Sequence, residues 1–148
     1  MRVLLAIDDS KFSEAATQAV IQQTRSEQTE VYVLHVVEPV YSYVAPYSYA
    51  VHNQDIEAAQ QNLLKHGKEL VARAEQQLSK MGFKVHTAVE AGDPRTAIVD
   101  FAASRKCDLI VVGSQGRTGL DRFLMGSVAE FVARHASCSA WIVRTARR

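Results

Sequence analysis

The stretch Leu109–Val128, LIVVGSQGRTGLDRFLMGSV, joins a short apolar run to a glycine-rich loop and then to a helical pattern. The run Leu109–Val112 has the length and composition of a buried strand. Four glycines occur in the loop that follows it: Gly113, Gly116, Gly119 and Gly126. A buried strand that leads through such a loop into a helix N-terminus is the arrangement from which many proteins build phosphate sites. The stretch therefore predicts an anion site at the carboxyl end of a strand.

Strand and helix patterns alternate along the rest of the chain. Apolar or alternating runs predict strands at Val3–Ile7, Val31–Val37, Phe83–Glu90 and Ala140–Val143. Apolar positions at helical spacing predict helices from about Ser10 to Thr24, from Asp55 to Met81, after Asp93-Pro94, and from Val128 onward. Phe83–Glu90 alternates apolar and polar residues, as a half-exposed edge strand does. The order β-α-β-α-β-α-β-α-β predicts an α/β fold, with a parallel open sheet and helices on both of its faces.

Local patterns within the helices give further expectations. Ser10 and Ser13 are alternative N-caps of the first helix, because a serine hydroxyl accepts a hydrogen bond from a first-turn amide. Ser127 and Glu130 have the spacing of a capping box at the start of the last helix. The long second helix carries one apolar stripe, which includes Leu63 and is expected to face the core.

The composition is that of an ordinary globular protein. The chain has 148 residues, 47% apolar and 22% charged, so residues 1–148 are expected to form one domain. A net charge of +1 gives no general reason to expect binding to nucleic acid or to membranes. Cys107 and Cys138 lack a CxxC spacing and are interpreted as small buried residues of a reduced protein. With no signal-peptide pattern and no apolar run of about 20 residues, the expected location is the cytoplasm.

The glycine spacing separates this loop from other nucleotide-binding loops. The chain has no G-x-x-x-x-G-K-[ST] segment, which excludes a P-loop of the Walker type. No G-x-G-x-x-G follows the first strand, which argues against a dinucleotide site. Two residues separate Gly113 from Gly116, and nine more separate Gly116 from the pair Gly126-Ser127. This joint spacing is more specific than any single pair of glycines.

The pattern G-x2-G-x9-G-[ST] resembles that of the nucleotide-binding branch of the universal stress protein family, and the flanking text GSQGRTGLDRFLMGSVAEFVARHASC is similar to that family throughout. The segments VLLAIDDS, VLHVV, GDP and WIVR also fall where the family has its elements. The resemblance implies a five-stranded parallel sheet in the order 3-2-1-4-5, a Rossmann-like fold of the adenine nucleotide α hydrolase-like type. It also implies a homodimer formed through the last strand, here Ala140–Arg144. Ser139 departs from the family, in which proline often precedes that strand.

The resemblance further implies a set of adenine-nucleotide contacts. Asp8, after the first strand, is expected to contact the ribose, and the backbone of Val36 is expected to read the adenine edge. Capping of a helix is the alternative role for Asp8 and for Ser127. Free amides at the start of the last helix and the Arg117 side chain are expected to bind phosphates, with Mg²⁺ or Mn²⁺ as a helper for which no ligand set is evident. The predicted nucleotide-binding residues are Asp8, Val36, Gly113, Gly116, Arg117, Gly126, Ser127 and Val128.

Three functions remain open at this level. The first is an ATP-binding regulator of the stress response, because the loop is complete while no catalytic residue is identified and the histidines are scattered along the chain. The second is a slow ATPase or autophosphorylating protein, with Ser127 or Thr118 as acceptor and Asp8 or Asp9 holding a metal. The third is an interaction protein without nucleotide, which the intact glycine motif disfavours.

A tyrosine-rich segment follows the second strand. Four tyrosines lie around Pro46 with almost no charge: Tyr41, Tyr43, Tyr47 and Tyr49. The segment is interpreted either as a surface loop, or as a lid or subunit contact, because tyrosine suits partly wet interfaces.

Overall fold

Five parallel strands alternate with four α-helices in the described part of the chain. The computed structural model describes residues 1–40, 53–117 and 124–145. In chain order the elements are β1 (Arg2–Ala6), α1 (Lys11–Gln23), a 3₁₀ turn (Ser26–Gln28), β2 (Glu30–Val37), α2 (Asn53–Lys80), β3 (Lys84–Ala91), α3 (Pro94–Ser104), β4 (Leu109–Gly113), α4 (Ser127–His135) and β5 (Ser139–Val143). The tyrosine-rich segment, Thr118 and Gly119 lie outside the described residues, so the expectations about them stay predictions.

The strands form one sheet in the order β3-β2-β1-β4-β5, which confirms the predicted topology. Every neighbouring pair is parallel. β1 is central and its residues Val3–Ala6 are buried, as its unbroken apolar run predicts. β3 and β5 are the edges, and β3 is half exposed, as its alternating pattern predicts. Phe83 lies just before β3 instead of starting it. Its side chain is buried in one of the two hydrophobic cores that flank the sheet.

The two faces of the sheet carry separate cores. Successive side chains of a strand point to opposite faces, so Val3 and Leu5 belong to one core and Leu4 and Ala6 to the other. The first core is closed by α1 and α2, and the second by α3 and α4. Helices therefore cover both faces, as predicted for a parallel sheet whose strands are buried on each side.

The apolar stripe of α2 packs on the sheet over only part of its length. Leu70, Val71, Ala74 and Leu78 are buried in the first core. Leu63, which the stripe pattern places in the core, is instead 36% exposed and lines a crevice at the sheet's end. Among the described residues, β2 ends at Val37, and Leu63 lies beside the crevice that opens there instead of over a strand.

The remaining local expectations have mixed outcomes. Ser10 is the N-cap of α1, with its hydroxyl accepting from the Ser13 N–H at 3.3 Å. Cys107 is buried as predicted, and this burial raises the pKa of its thiol to about 11. The prediction was wrong for Cys138, which is half-buried, although burial still raises the pKa of that thiol. No helix in the described ranges is long and apolar enough to cross a membrane.

Candidate functional site

A crevice opens where β1, β2 and β4 end. Its volume is about 890 Å³, within the range of roughly 300–1,000 Å³ typical of small-molecule pockets. It lies at the carboxyl ends of the strands, beside the point where the chain switches from one side of β1 to the other, which is where ligands bind in open α/β sheets. All eight residues predicted from the sequence line it: Asp8, Val36, Gly113, Gly116, Arg117, Gly126, Ser127 and Val128.

Direct hydrogen bonds join the two ends of the glycine loop. The Gly126 N–H donates to the Ser114 C=O at 2.7 Å, and Gln115 Nε2 donates to the Leu124 C=O at 2.8 Å. A Cβ at position 126 would lie 3.1 Å from the Gln115 Cα and 3.3 Å from the Ser114 oxygen. Glycine at this position therefore lets the loop close on itself, which brings the start of α4 next to the end of β4.

Gly113 has a packing role that the phosphate interpretation did not include. A Cβ there would lie 2.6 Å from the Phe12 Cβ and 2.9 Å from the Phe12 carbonyl carbon and oxygen. Gly113 lines the crevice as predicted. The absence of a side chain is nevertheless required by the close approach of α1 to β4, independently of any ligand.

The start of α4 presents to the crevice amides that have no partner among the described residues. Gly126 is the N-cap, in extended conformation, and makes no side-chain capping bond. The first helical bond runs from the Glu130 N–H to the Gly126 C=O at 2.9 Å. The N–H groups of Ser127, Val128 and Ala129 precede that bond, so they are the first-turn donors that an α-helix leaves without internal partners.

The predicted capping box at the start of α4 was wrong. Ser127 is the first helical residue, because the extended conformation that a cap requires is taken by Gly126. The Glu130 carboxylate pairs with Arg134 at 2.9 Å, one turn further along the helix. The Ser127 hydroxyl is therefore not the N-cap of α4, which excludes helix capping as the alternative role of this residue.

The Asp8 carboxylate ties the turn after β1 to the glycine loop. Its Oδ1 accepts from the Ser13 hydroxyl at 2.8 Å, and its Oδ2 accepts from the Arg117 N–H at 3.2 Å. A Cβ at Gly116 would lie 2.9 Å from Oδ2. Asp8 does not cap α1, because Ser10 does so. The Arg117 side chain is exposed, and it is the backbone of that residue that contacts Asp8.

The backbone of Val36 faces the crevice beyond the end of β1. The last rung between β1 and β2 is the bond from the Ile7 N–H to the Leu34 C=O, at 2.9 Å. The N–H and C=O of one strand residue point to the same side, and alternate residues share that side. Val36 therefore directs both groups toward β1, but β1 has already ended, and Val36 lines the crevice.

His35 holds the end of β1 in place and was not identified from the sequence. Its Nδ1 lies 2.8 Å from the Ile7 C=O, which requires Nδ1 to carry the proton. Gly67 of α2 packs against the same ring: a Cβ there would lie 2.7 Å from His35 Cδ2 and 3.1 Å from Val89 Cγ1. No motif marks such a histidine, because its role depends on where the neighbouring strand stops.

A second histidine joins α2 to the turn after β1. His66 Nε2 lies 3.1 Å from Asp9 Oδ2, both side chains are partly exposed, and His66 lines the crevice. His66 and Asp9 are 57 positions apart in the chain. His35 lines the same crevice, so two of the histidines that are scattered along the sequence lie at this site. Within residues 1–40, 53–117 and 124–145, no group of three metal-ligating side chains is present.

One carboxylate at the rim has a perturbed pKa. Asp93 is the N-cap of α3, whose first residue, Pro94, lines the crevice. Hydrogen bonds from the Arg95 guanidinium and then from the Arg95 N–H hold the pKa of the Asp93 carboxyl below its usual value. The side-chain distance is 2.9 Å. The Asp93 carboxylate therefore stays ionised at the start of α3, where its charge is paired with the Arg95 guanidinium.

Comparisons with known proteins identify a family and several similar proteins. The family model described as "Universal stress protein family" matches residues 1–144. The universal stress protein MJ0531 of Methanocaldococcus jannaschii is 32% identical over 147 residues, which cover 99% of this chain and 84% of that protein.

Solved structures share the fold. The hypothetical protein MJ0577 superposes with a TM-score of 0.84 at 25% identity, covering 99% of this chain and 97% of that one. A universal stress protein in complex with cAMP superposes at 0.69 with 22% identity, covering 99% and 98%. A family protein from Arabidopsis thaliana with AMP bound superposes at 0.62 with 18% identity, covering 99% and 92%.

Proposed function

The chain belongs to the universal stress protein family, and we propose that it is a regulatory protein that binds ATP in the crevice at the carboxyl ends of β1, β2 and β4. The observation that carries the proposal is the convergence of eight sequence-predicted residues on one crevice of suitable volume. Structures of the same fold that contain cAMP and AMP support an adenine nucleotide as the ligand class.

The backbone of Val36 supports adenine as the base. Its N–H and C=O form a donor–acceptor pair on one side of β2, past the last rung to β1. Adenine offers the complementary pair, with N1 as acceptor and the N6 amino group as donor, whereas guanine presents the opposite order at these positions. A backbone pair of this kind therefore favours adenine over guanine without using a side chain.

The start of α4 supports binding of the phosphates. The three first-turn amides at Ser127, Val128 and Ala129 point along the helix axis toward the crevice. A helix N-terminus typically stabilises an anion by about 0.3–1 kcal/mol, and by about 2 kcal/mol when partly buried. We assign a further charge-assisted contact to the Arg117 guanidinium. Mg²⁺ or Mn²⁺ fits as a helper that takes its ligands from phosphates and water, as Mg²⁺ usually does.

Proline substitution at the start of α4 tests the phosphate contacts. Ser127→Ala removes the hydroxyl, and Ser127→Pro removes the hydroxyl and the amide. Proline is tolerated at the first helical position, and the preceding Gly126 is already extended, with φ −64° and ψ 155°. We expect ATP affinity, measured by titration calorimetry, to fall about tenfold in Ser127→Pro and less in Ser127→Ala.

The matched control is Lys11→Pro, at the first position of α1. Its preceding residue, Ser10, is also extended, with φ −123° and ψ 158°, and Lys11 does not line the crevice. Lys11→Pro is expected to bind ATP as the wild type does. Absence of saturable ATP binding by the wild type at millimolar nucleotide would sink the proposed function.

A slow ATPase or autophosphorylating activity is the alternative, and labelled ATP distinguishes it from binding alone. The regulator proposal expects neither phosphate release nor transfer of label to the protein after incubation with γ-labelled ATP. Label that is present in the wild type and lost in Ser127→Ala would instead identify Ser127 as an acceptor. Binding alone leaves ATP intact, whereas either activity transfers the labelled phosphate to water or to the protein. One incubation therefore distinguishes them.

We also infer that residues 1–148 act as one domain, in the cytoplasm, and that two copies pair through β5. The strand is an edge of the sheet, so one row of its backbone groups has no neighbouring strand among the described residues. Reduced cysteines fit an intracellular location. Pairing through β5 leaves the crevice accessible, because none of the β5 residues lines it.

A further inference from the structure

Ser13 is a buried serine whose hydroxyl faces Asp8. It is 7% exposed and lies in the first turn of α1. Its Oγ accepts from the Asp8 N–H at 2.7 Å and donates to Asp8 Oδ1 at 2.8 Å. A serine hydroxyl has one proton, and here that proton is directed to the carboxylate. Ser13 therefore holds both the backbone and the side chain of Asp8.

This contact determines which part of the Asp8 carboxylate remains available. A carboxylate has about four acceptor positions. One on Oδ1 is taken by the Ser13 hydroxyl, and one on Oδ2 by the Arg117 N–H at 3.2 Å. With both oxygens anchored, the carboxylate cannot rotate about its Cβ–Cγ bond without breaking a hydrogen bond. Its two remaining acceptor positions are held in a fixed orientation beside the crevice that Asp8 lines.

We propose that Ser13 is a positioning residue that fixes the Asp8 carboxylate to accept hydrogen bonds from a ribose hydroxyl, and so gives the site its preference for ribonucleotides. This inference rests on the proposed function, in which Asp8 contacts the sugar. Ser13 also lines the crevice, but its one hydroxyl proton is directed to Asp8 Oδ1, so in this scheme it acts through Asp8 and not by donating to the ligand. Loss of its hydroxyl frees both the Asp8 N–H and Oδ1, and leaves the carboxylate held only at Oδ2 by the Arg117 N–H.

A purely structural role makes a different prediction. Thr17, one turn further along α1, is 2% exposed, and its hydroxyl donates to the Ser13 C=O at 3.0 Å. Thr17 does not line the crevice. If buried hydroxyls of α1 served only to stabilise the helix, then loss of either one would lower stability and leave the choice of sugar unchanged. Thr17→Val is therefore the matched control for Ser13→Ala.

The experiment compares ATP with 2′-deoxyATP and 3′-deoxyATP in wild-type protein, Ser13→Ala, Ser13→Thr and Thr17→Val. The readout is the ratio of the dissociation constant of each deoxy analogue to that of ATP. This ratio does not depend on the fraction of protein that is folded, so a loss of stability cannot imitate the effect. The two analogues together cover both ribose hydroxyls.

We expect the wild type to bind ATP about tenfold more tightly than at least one of the analogues, since a hydrogen bond to a carboxylate is lost. Ser13→Ala is expected to bring that ratio close to one, mainly by weakening ATP. Ser13→Thr, which keeps the hydroxyl, and Thr17→Val, which leaves Ser13 intact, are expected to retain the wild-type ratio.

Three results would overturn the inference while leaving ATP binding in place. They are a wild-type ratio near one for both analogues, a wild-type ratio retained in Ser13→Ala, and an equal loss of the ratio in Thr17→Val. Failure of the wild type to bind ATP at all would overturn the proposed function, and this inference with it.

Discussion

Gly113 and Gly116 stand three positions apart in one loop, but different neighbours require each of them to lack a side chain. At Gly113 the obstacle is the backbone of Phe12, with its carbonyl carbon and oxygen 2.9 Å from a built Cβ. At Gly116 the obstacle is Asp8 Oδ2, also at 2.9 Å, which belongs to a side chain and can be displaced only with loss of its hydrogen bonds. The first glycine therefore serves the packing of α1 on β4, and the second leaves room for the Asp8 carboxylate, for which we propose a contact to the sugar.

Alanine substitution is expected to separate these two roles. Gly113→Ala forces α1 away from β4 and should lower the free energy of unfolding by about 1–3 kcal/mol, as overpacking commonly does. Gly116→Ala displaces the Asp8 carboxylate instead, so it should weaken ATP binding about tenfold, while unfolding changes by less than about 1 kcal/mol. Urea denaturation and calorimetric titration of both variants measure the two quantities. Equal losses of stability would contradict the assignment.

At the scale of elements, the two ends of the sheet do different work. At the amino ends, the parallel register places Glu30 of β2 beside Arg2 of β1 and Lys84 of β3. Glu30 Oε1 lies 2.9 Å from Lys84 Nζ and 2.7 Å from His86 Nε2, and Oε2 lies 3.6 Å from Arg2 Nε. At the carboxyl ends, the strands stop at different levels and leave the crevice. Charges thus join the strands at the end of the sheet opposite the crevice.

The Glu30 cluster predicts a specific dependence of stability on acid. Hydrogen bonds from Lys84 and then His86 lower the pKa of the Glu30 carboxyl from its ordinary 4.5 to about 2. A carboxyl whose pKa is lower in the folded state stabilises the fold above its unfolded-state pKa, and this contribution is lost as the pH falls through the folded-state pKa. The contribution of Glu30 should therefore be present above about pH 5 and disappear between pH 4.5 and 2.

Urea denaturation of the wild type and Glu30→Gln across this range measures the effect. The difference in unfolding free energy between them should shrink as the pH falls and approach zero near pH 2. Glu27→Gln, at an exposed glutamate of the 3₁₀ turn, controls for the loss of one surface carboxylate. A difference that is independent of pH would show that the cluster does not stabilise the fold.

At the scale of the whole molecule, β5 and β3 are the two edge strands of the described sheet. The Ser114 N–H donates to the Val143 C=O at 2.7 Å, so Val143 faces β4 and the alternate residues Ala140 and Ile142 direct their backbone groups outward. On the other edge, the Gly92 N–H donates to the Val37 C=O at 2.9 Å. By the same alternation, Thr87 of β3 directs its backbone outward. Each edge therefore offers an outward N–H that proline can remove without breaking the sheet.

Proline on each edge tests the proposed dimer. Ala140 and Thr87 are both exposed, so neither substitution removes core packing. Ala140→Pro is expected to convert the dimer to a monomer in sedimentation equilibrium, because it removes a donor from the pairing strand. Thr87→Pro is expected to remain dimeric, and both variants should keep the circular dichroism of the wild type. A monomeric wild type, or a dimer that persists in Ala140→Pro, would exclude pairing through β5.

Much of the fold was predictable because apolar spacing reports burial directly. The uninterrupted run at β4 and the alternation in β3 distinguish a central from an edge strand, and both predictions were confirmed. Leu63 was predicted wrongly because helical spacing records which face a residue lies on, but not whether a strand extends far enough to cover it. The capping box at Ser127 was wrong because the adjacent Gly126 takes the extended conformation.

At the candidate site, too, some residues were identified from local sequence and others only from contacts that form on folding. The glycine spacing is local information, so the sequence alone identifies the loop and the start of α4, both of which line the crevice. Ser13, His35 and His66 carry no motif, because their roles depend on atoms brought close by folding: the Asp8 carboxylate, the last carbonyl of β1 and the Asp9 carboxylate.

The order of the elements and the place of the glycine loop follow from the amino-acid pattern, since hydrophobic periodicity and backbone steric limits act over a few neighbouring residues. The tertiary structure decided that Gly113 is needed for helix packing, and that Asp8 is held from two directions by Ser13 and Arg117. Arg117 is 109 positions from Asp8 along the chain. Hydrogen bonds and steric contacts act over only a few ångströms, so contacts this distant in sequence are determined only once the sheet has brought the strand ends together.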